Sequence, residues 1–207
     1  MSQTSFDLFI TSLPNPEEIA KETIETLRAA SRERRFERGA SYLRAGEQCD
    51  HLAYVVRGLF RFYYSGEDGR EYTSYFAEEG RFIPSYALVA TGIRSRFFIE
   101  AMESSIVLEF PFAVLTELER TSPAVGCITR SFLVNALLCK EEREASLILD
   151  DGETRYREFL AGFPSLEKRI RLHHVASYLG LSPVSLSRIR RRMGIRRSVR
   201  HQAHWAE

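Results

Sequence analysis

The sequence predicts an α+β protein, with an antiparallel β-sandwich or barrel in its first half, a long central helix and a helical module at the C-terminal end. Three observations predict this order. Short β-branched and aromatic segments alternate with turn signals over residues 36–110, a helical pattern runs unbroken from 123 to 149, and two short helical patterns meet at a glycine within 172–193. The composition is that of a folded domain, because 44% of the 207 residues are hydrophobic and 29 basic residues balance 28 acidic ones.

The first predicted element is an amphipathic helix over residues 16–30, in which Ile19, Thr23 and Leu27 recur every four residues. Strands follow, separated by turns that contain glycine. Within residues 59–64, alternate side chains predict one buried face. The strands are expected at residues 53–56, 59–64, 72–76, 97–100 and 106–110.

After residue 110 the pattern becomes helical. A short segment over 112–120 precedes Thr121-Ser122-Pro123, where the proline can occupy the first position of a new helix. That helix extends over Pro123–Leu149, about 40 Å, and is apolar on two sides. A helix of this kind is either enclosed by its own protein or shared with a second subunit, and its length favours a homodimer.

The most specific stretch is LHHVASYLGLSPVSLSRIRRRM, residues 172–193. Gly180 permits a tight turn between two short helices, Ser182 can cap the second helix and Pro183 can open it. This arrangement predicts a helix-turn-helix whose second helix presents its N-terminal residues to the DNA major groove. The side chains expected to face inward are Val175, Ala176, Leu179, Leu186, Ile189 and Met193.

Charge is distributed unevenly along the chain. Residues 1–150 carry 17 basic and 23 acidic residues, for a net charge of −6, whereas residues 151–207 carry 12 and 5, for a net charge of +7. Seven arginines lie between 188 and 200 without an acidic residue among them. Such a run is either a solvated surface or a site that neutralises phosphates, and its place beside a helix-turn-helix favours double-stranded DNA.

Motifs along the whole chain carry a family resemblance. They are RGA (38–40), RAGE (44–47), YVVRGLFR (54–61), DGRE (68–71), the long helix and SLSRIR (185–190). Their order resembles the CRP/FNR superfamily of bacterial transcription regulators. The resemblance implies a cyclic-nucleotide-binding-like β-jelly roll in residues 1–122, a dimerisation helix and hinge in 123–150, and a winged helix-turn-helix in 151–207. It also implies a regulator without catalysis or cofactor, with DNA, a second copy, RNA polymerase and a small-molecule effector as partners.

The effector segment departs from that family. Members that respond to cyclic AMP bind the ribose through the Glu of Gly-Glu-Leu and the phosphate through the Arg of a later Arg-Ser or Arg-Thr pair. The matching residues here are Pro84-Ser85-Tyr86 and Ser95-Arg96, which lack the carboxylate and shift the arginine by one residue, to the opposite face of a strand. We therefore expect an effector other than cyclic AMP, a less polar ligand, or a filled barrel. The expected pocket residues are Tyr63, Phe76, Phe82, Pro84, Ser85, Tyr86, Ser95 and Arg96, with Phe97 or Phe98 beside them.

The recognition helix departs as well. Family members present Arg, Glu and Arg to the bases, and the matching residues are Pro183, Val184 and Arg188. We expect Arg188 to bind guanine and Val184 to contact a thymine methyl group. The expected phosphate contacts are Ser185, Arg191 and Arg192. The tail from residue 194 lacks an alternating strand pattern, which predicts a shortened wing. The full expected DNA-binding set is Ser182, Pro183, Val184, Ser185, Ser187, Arg188, Arg191 and Arg192.

Two alternatives use the same jelly roll. A cupin-like small-molecule-binding protein or metal enzyme needs several histidines on facing strands, and the β region holds only His51. A domain that binds no ligand and acts as a scaffold is the other alternative. Metal ligation is not expected from Cys49, Cys127 and Cys139, because their spacing suits neither a zinc site nor an iron–sulfur cluster. The first residues, MSQTSFDLFI, lack a secretory pattern, which favours the cytoplasm.

Overall fold

The computed structural model describes residues 3–195, and the chain divides into two compact units between Ile148 and Leu149. The first unit contains eight strands among its described residues. They are β1 (Arg32–Phe36), β2 (Ser41–Leu43), β3 (His51–Arg57), β4 (Phe60–Ser65), β5 (Glu71–Ala77), β6 (Phe82–Ile83), β7 (Phe98–Ala101) and β8 (Ser105–Pro111). Its helices are α1 (Ser5–Ser12), a 3-10 turn (Pro16–Glu18), α2 (Lys21–Ala30), α3 (Tyr86–Thr91), α4 (Phe112–Thr121) and α5 (Pro123–Leu149).

The strands form two antiparallel four-stranded sheets, ordered β1-β8-β3-β6 and β2-β7-β4-β5. Their inner faces share one core, to which Val55 and Val107 contribute from the first sheet and Phe60 and Ile99 from the second. All four side chains are fully buried. Close packing of this kind fills the space between the sheets with side chains.

Helices cover the outer face of the first sheet. Phe9 of α1 packs against Tyr54 and Phe110, and Phe132 of α5 packs edge-to-face against Phe82 of β6 at 5.1 Å. The outer face of the second sheet carries a charged side chain instead. Arg61 is only 2% exposed and lies opposite Phe76 on β5 and Glu100 on β7.

Five predicted strands are confirmed as β3, β4, β5, β7 and β8, each shifted or extended by one or two residues at its ends. Three further strands, β1, β2 and β6, and the helix α3 had no sequence prediction. The helix expected over residues 16–30 is wrong as a single element. Its first part is the 3-10 turn, and residues Ile19 and Ala20 are extended before α2 begins. This break allows Ile19 to enter the helical core, which lies between the helices of the first unit and its first sheet.

The long helix α5 has the predicted bounds. Among residues 3–195, no single helix is long and apolar enough to cross a membrane, although α4 and α5 taken together across their 118° bend pass that test by length and composition.

The described residues of the second unit form helices joined by short loops. It comprises α6 (Gly152–Gly162), α7 (Leu166–Arg169), α8 (Leu172–Tyr178) and α9 (Pro183–Arg192) around Tyr156, Leu166, Val175 and Leu186, which are fully buried. The predicted helix-turn-helix is confirmed as α8 and α9, and Gly180 adopts a positive φ of 67° in the turn between them. The shortened wing was predicted over residues 194–207, of which 196–207 lie outside the described residues.

Candidate DNA-binding surface and effector segment

The second helix of the helix-turn-helix presents one exposed face. Leu186 and Ile189 of α9 are buried, so the opposite side of the helix carries Val184, Arg188 and Arg191. Val184 is 61% exposed although it is apolar. Ser187 lies beside them and is also exposed. This face combines two cations with an apolar contact and a hydroxyl, which are the side-chain types that bind phosphates and base edges.

The N-terminus of α9 is held by its own residues. Ser182 accepts a hydrogen bond from the backbone N–H of Ser185 at 3.0 Å, and the two hydroxyls share a further hydrogen bond at 2.8 Å. Pro183 occupies the first helical position, where no N–H is needed. Ser182 and Ser185 therefore cap the helix, and their hydroxyls would have to exchange partners to contact DNA.

Two arginines of the basic run form ion pairs within the unit. Arg190 is half-buried and lies 3.2 Å from Glu167, which also accepts a hydrogen bond from Tyr156. The Nε of Arg192 donates to Glu153 of α6 at 2.7 Å. Arg192 was expected among the phosphate contacts. Its guanidinium is instead engaged by a carboxylate, which sequence spacing does not reveal because the two residues are 39 positions apart.

The long helix also leaves a face exposed. Its apolar side chains divide between Phe132, which packs into the helical core, and a second group that remains accessible to solvent. Leu137 is 57% exposed within this group. Leu133, Val134, Leu137 and Leu138 form the central part of this exposed face, and Leu147, Ile148 and Leu149 are exposed near its end.

The segment matching the family's nucleotide-binding motif turns its polar groups onto its own backbone. Ser85 caps α3 by accepting a hydrogen bond from the N–H of Leu88 at 3.3 Å. Ser95 is 3% exposed, and its hydroxyl donates to the carbonyl of Phe97 at 2.7 Å and accepts from the N–H of the same residue at 3.2 Å. Arg96 is exposed. Pro84 follows a cis peptide bond at the end of β6.

The expectation that Tyr63, Phe76, Phe82 and Tyr86 line the barrel interior is wrong. Tyr63 stacks on Phe98 at 5.1 Å, outside the second sheet, because it shares a strand face with Arg61. Phe76 lies opposite Arg61 on the neighbouring strand, so it faces the same side.

Phe82 and Tyr86 face the helices. Phe82 joins the core under α1 and α5. The hydroxyl of Tyr86 donates to Glu119 of α4 at 2.9 Å, and its ring packs edge-to-face on Phe112. Burial and the hydrogen bond to Glu119 raise the pKa of Tyr86 to about 12. Alternation along a strand shows which side chains share a face, but it does not tell which of the two faces points inward.

Other rings occupy the interior. Phe62 packs on Tyr75 and Phe97, each at 5.5 Å, and Phe36 packs on Phe60 at 5.6 Å. Phe97, one of the two candidates named from the sequence, is therefore the residue that faces inward. The sequence alone does not decide between Phe97 and Phe98, because a shift of one residue in the register exchanges the two faces of the strand.

Two polar groups near the interior had no sequence prediction. Glu109 is buried and pairs with Arg34 at 2.8 Å. The guanidinium of Arg34 also lies 4.8 Å from the ring centre of Phe36. Burial raises the pKa of the neighbouring phenol of Tyr42 and that of the half-buried thiol of Cys49. Glu109 sits in an otherwise apolar strand, SIVLEFP, and this interruption is the signal that sequence reasoning could have used.

Within residues 3–195, no group of three or more His, Cys, Asp or Glu side chains is arranged to hold a metal ion. Cys127 and Cys139 are exposed on α5, and Cys49 lies in the loop before β3.

Comparison with known proteins agrees with this architecture. The family described as the cyclic nucleotide-binding domain matches residues 33–122. Electron transport regulator A of Shewanella oneidensis is 26% identical over 169 residues, covering 76% of this chain and 67% of the relative. The fumarate and nitrate reduction regulatory protein of Vibrio cholerae is 25% identical, with the same coverage.

Among solved structures, a protein from Eubacterium rectale described as a transcriptional regulator of the CRP/FNR family superposes with a TM-score of 0.69. It is 17% identical, and the match covers 89% of this chain and 88% of that protein. Residues 33–122 thus match the cyclic nucleotide-binding domain, and the chain is similar in sequence to named regulatory proteins. It shares with the Eubacterium rectale protein the fold of a jelly roll followed by a long helix and a helix-turn-helix.

Proposed function

We propose that the protein binds specific sequences of double-stranded DNA by placing α9 in the major groove. The observation that supports this most directly is the exposed face of α9, which offers Arg188, Arg191 and Val184. Arg188 would donate two hydrogen bonds to guanine, and Val184 would contact a thymine methyl group. Arg191 would bind a backbone phosphate, together with Ser187, and so fix the register.

We propose that the active form is a homodimer joined along the exposed face of α5. The helix exposes Val134, Leu137 and Leu138 within two turns. A cluster of leucines on one helix face is costly to expose and matches the self-complementary surface of a two-fold dimer. Such a dimer would present two copies of α9 about one DNA turn, or roughly 34 Å, apart, and its operator would be an inverted repeat.

The dimer is tested by Leu137→Glu, with Leu8→Glu as the control because Leu8 is also exposed but lies on α1. Each buried Leu contributes about 1.5–3 kcal/mol and the two-fold axis doubles the change, so Leu137→Glu should raise the dimer dissociation constant at least a hundredfold. Light scattering at micromolar concentration should show a dimer for the wild type and for Leu8→Glu, and a monomer for Leu137→Glu. A monomeric wild type contradicts the proposal.

We propose that the jelly roll does not respond to cyclic AMP. A cyclic nucleotide needs a cation for its phosphate and an acceptor for its ribose hydroxyl, whereas Ser95 and Ser85 bond to their own backbone and Arg96 is exposed. The lost contacts correspond to several kcal/mol, or a thousandfold in affinity. Calorimetric titration of cyclic AMP into the dimer should show no binding at micromolar concentrations. A dissociation constant below about 10 micromolar contradicts this assignment.

Two further roles of the first unit are part of the proposal. Residues 1–122 would act either as the receptor for a less polar effector or as a scaffold, with residues 123–150 as the dimerisation helix and 151–207 as the DNA-binding domain. The two roles are separated by measuring the melting temperature of the dimer in the presence of each member of a metabolite library. A receptor should melt at a higher temperature with its ligand, because a ligand that binds only the native state stabilises it, whereas a scaffold should show no change. RNA polymerase is the expected protein partner, the cytoplasm the expected location, and the protein would act without catalysis.

The DNA proposal is tested by selecting bound sequences from a random duplex library. Enrichment of an inverted repeat with half-sites one helical turn apart is the expected result. Recovery of unrelated sequences with equal affinity would show that the protein binds DNA without specificity.

A further inference from the structure

A single carboxylate at the start of α6 holds two arginines. One oxygen of Glu153 accepts from the Nε of Arg192 at 2.7 Å, and the other accepts from Arg157 at 2.6 Å. The side chain of Glu153 is 20% exposed, whereas that of Arg192 is 67% exposed. The pair therefore lies at the surface, where another anion could compete for the guanidinium.

Arg192 stands at the edge of the proposed DNA-binding face. It follows Arg188 by four residues on α9, which places it one helical turn further along the same side of the helix. Arg188 and Arg191 are exposed, and in the described part of the chain neither forms an ion pair with a carboxylate. The three arginines are thus close together, but only Arg192 has a carboxylate partner.

We propose that Glu153 withholds Arg192 from the DNA backbone, so that this carboxylate sets the strength and the salt dependence of DNA binding. The inference rests on the proposed function of α9. A carboxylate and a phosphate offer a guanidinium the same kind of paired oxygen acceptors. Because Arg192 is already neutralised by Glu153, it displaces no counterion from DNA. A contact between Arg192 and a phosphate therefore contributes nothing to the binding free energy.

In this arrangement Glu153 is a positioning residue that acts through Arg192. Removing its charge without changing its shape frees the guanidinium, which then reaches a phosphate. Each new phosphate contact steepens the dependence of log K on log salt by about 0.9, so a dimer with two half-sites changes by about 1.8. At low salt the additional charged contact should tighten binding on the order of tenfold per half-site.

The test is a double-mutant cycle with Glu153→Gln and Arg192→Ala, read by fluorescence anisotropy on a mixed-sequence 40-base-pair duplex between 50 and 200 mM salt. Arg192→Ala alone should bind like the wild type. Glu153→Gln should bind more tightly with the steeper slope, and adding Arg192→Ala should abolish both gains. Glu117→Gln is the control, because it likewise removes a carboxylate that is paired with an arginine, Arg120, but lies in the first unit.

The remaining outcomes are distinguishable. A wild type that binds no duplex at 50 mM salt refutes the proposed function rather than this inference. Weaker binding by Glu153→Gln, with a lower melting temperature, would show that the carboxylate only supports the fold of α6 and α9. A gain that survives Arg192→Ala, or that disappears with Arg157→Ala instead, overturns the assignment to Arg192. An unchanged salt slope in folded Glu153→Gln overturns it as well.

Discussion

The serines of the effector segment and the two exposed arginines of the recognition helix differ in whether they have partners inside the protein. In the effector segment, Ser85 and Ser95 bond to neighbouring backbone groups and the core beside them is filled. In α9, Arg188 and Arg191 extend into solvent. Groups that already have partners inside the protein gain little from a ligand, whereas exposed charges gain much from phosphates. On the proposed function, α9 therefore offers a surface for DNA, whereas the serines of the effector segment offer a cyclic nucleotide little.

The largest expected effect is a loss of stability when an arginine is introduced into the effector segment. Ser95→Arg supplies the guanidinium of cyclic-AMP-responsive relatives, but it inserts a charge where the side chain is buried and bonded to Phe97. We expect the free energy of unfolding to fall by roughly 3 kcal/mol or more. Urea denaturation measures the loss, and Arg96→Ser, at the exposed neighbour, should change it by less than about 0.5 kcal/mol. A stable Ser95→Arg variant that binds cyclic AMP would break the comparison.

The next effect concerns DNA binding by the exposed arginines of α9. Arg188→Ala should cost about 1–3 kcal/mol per half-site and relax the preference at one base pair, because a bidentate contact to guanine is lost. Arg191→Ala should weaken binding to all sequences alike and reduce the salt slope. Affinities for the selected operator and its single-base variants measure both effects. If the two variants lose affinity equally on every sequence, Arg188 does not bind a base.

A third prediction compares two serines that cap helices in the two regions. Ser85 caps α3 and Ser182 caps α9, so each substitution by Ala should lower the free energy of unfolding by about 1 kcal/mol. Ser85→Ala should leave the binding of DNA unchanged, whereas Ser182→Ala should also weaken it because the start of α9 enters the groove. Thermal denaturation and anisotropy on the same samples give both quantities. Equal loss of DNA affinity in the two variants would contradict the separation of the two sites.

The smallest effect concerns Tyr86, whose folded pKa of about 12 exceeds the ordinary value of 10. A raised pKa means that the neutral phenol stabilises the fold, fully below pH 10 and progressively less as the pH rises towards 12. Tyr86→Phe should cost about 0.5 kcal/mol at pH 8 and flatten the decline above pH 10. Urea denaturation at pH 8, 9, 10 and 10.5 checks this. An unchanged pH dependence would mean that the hydrogen bond to Glu119 contributes nothing.

Periodicity and motif spacing predicted the elements whose residues interact locally. The long helix, the helix-turn-helix and five of the eight strands follow from patterns within 30 residues, and Gly180 and Ser182 occupy their expected positions. The pocket residues were misplaced because alternation divides the side chains of a strand between two faces without telling which face points inward. The ion pair of Glu153 with Arg192 joins residues distant in sequence, so only the folded structure reveals it.

Gly152 is the first residue of α6, where a Cβ atom would lie 2.9 Å from Leu181 and 3.1 Å from Ile189. Its role is close packing under the helix-turn-helix, in contrast to the flexible link that an Asp-Asp-Gly sequence suggests. A chimaera that joins a different sensor to this DNA-binding module should therefore place the junction before Asp151 and retain Gly152. A graft that replaces this glycine would require the side chains of Leu181 and Ile189 to shift.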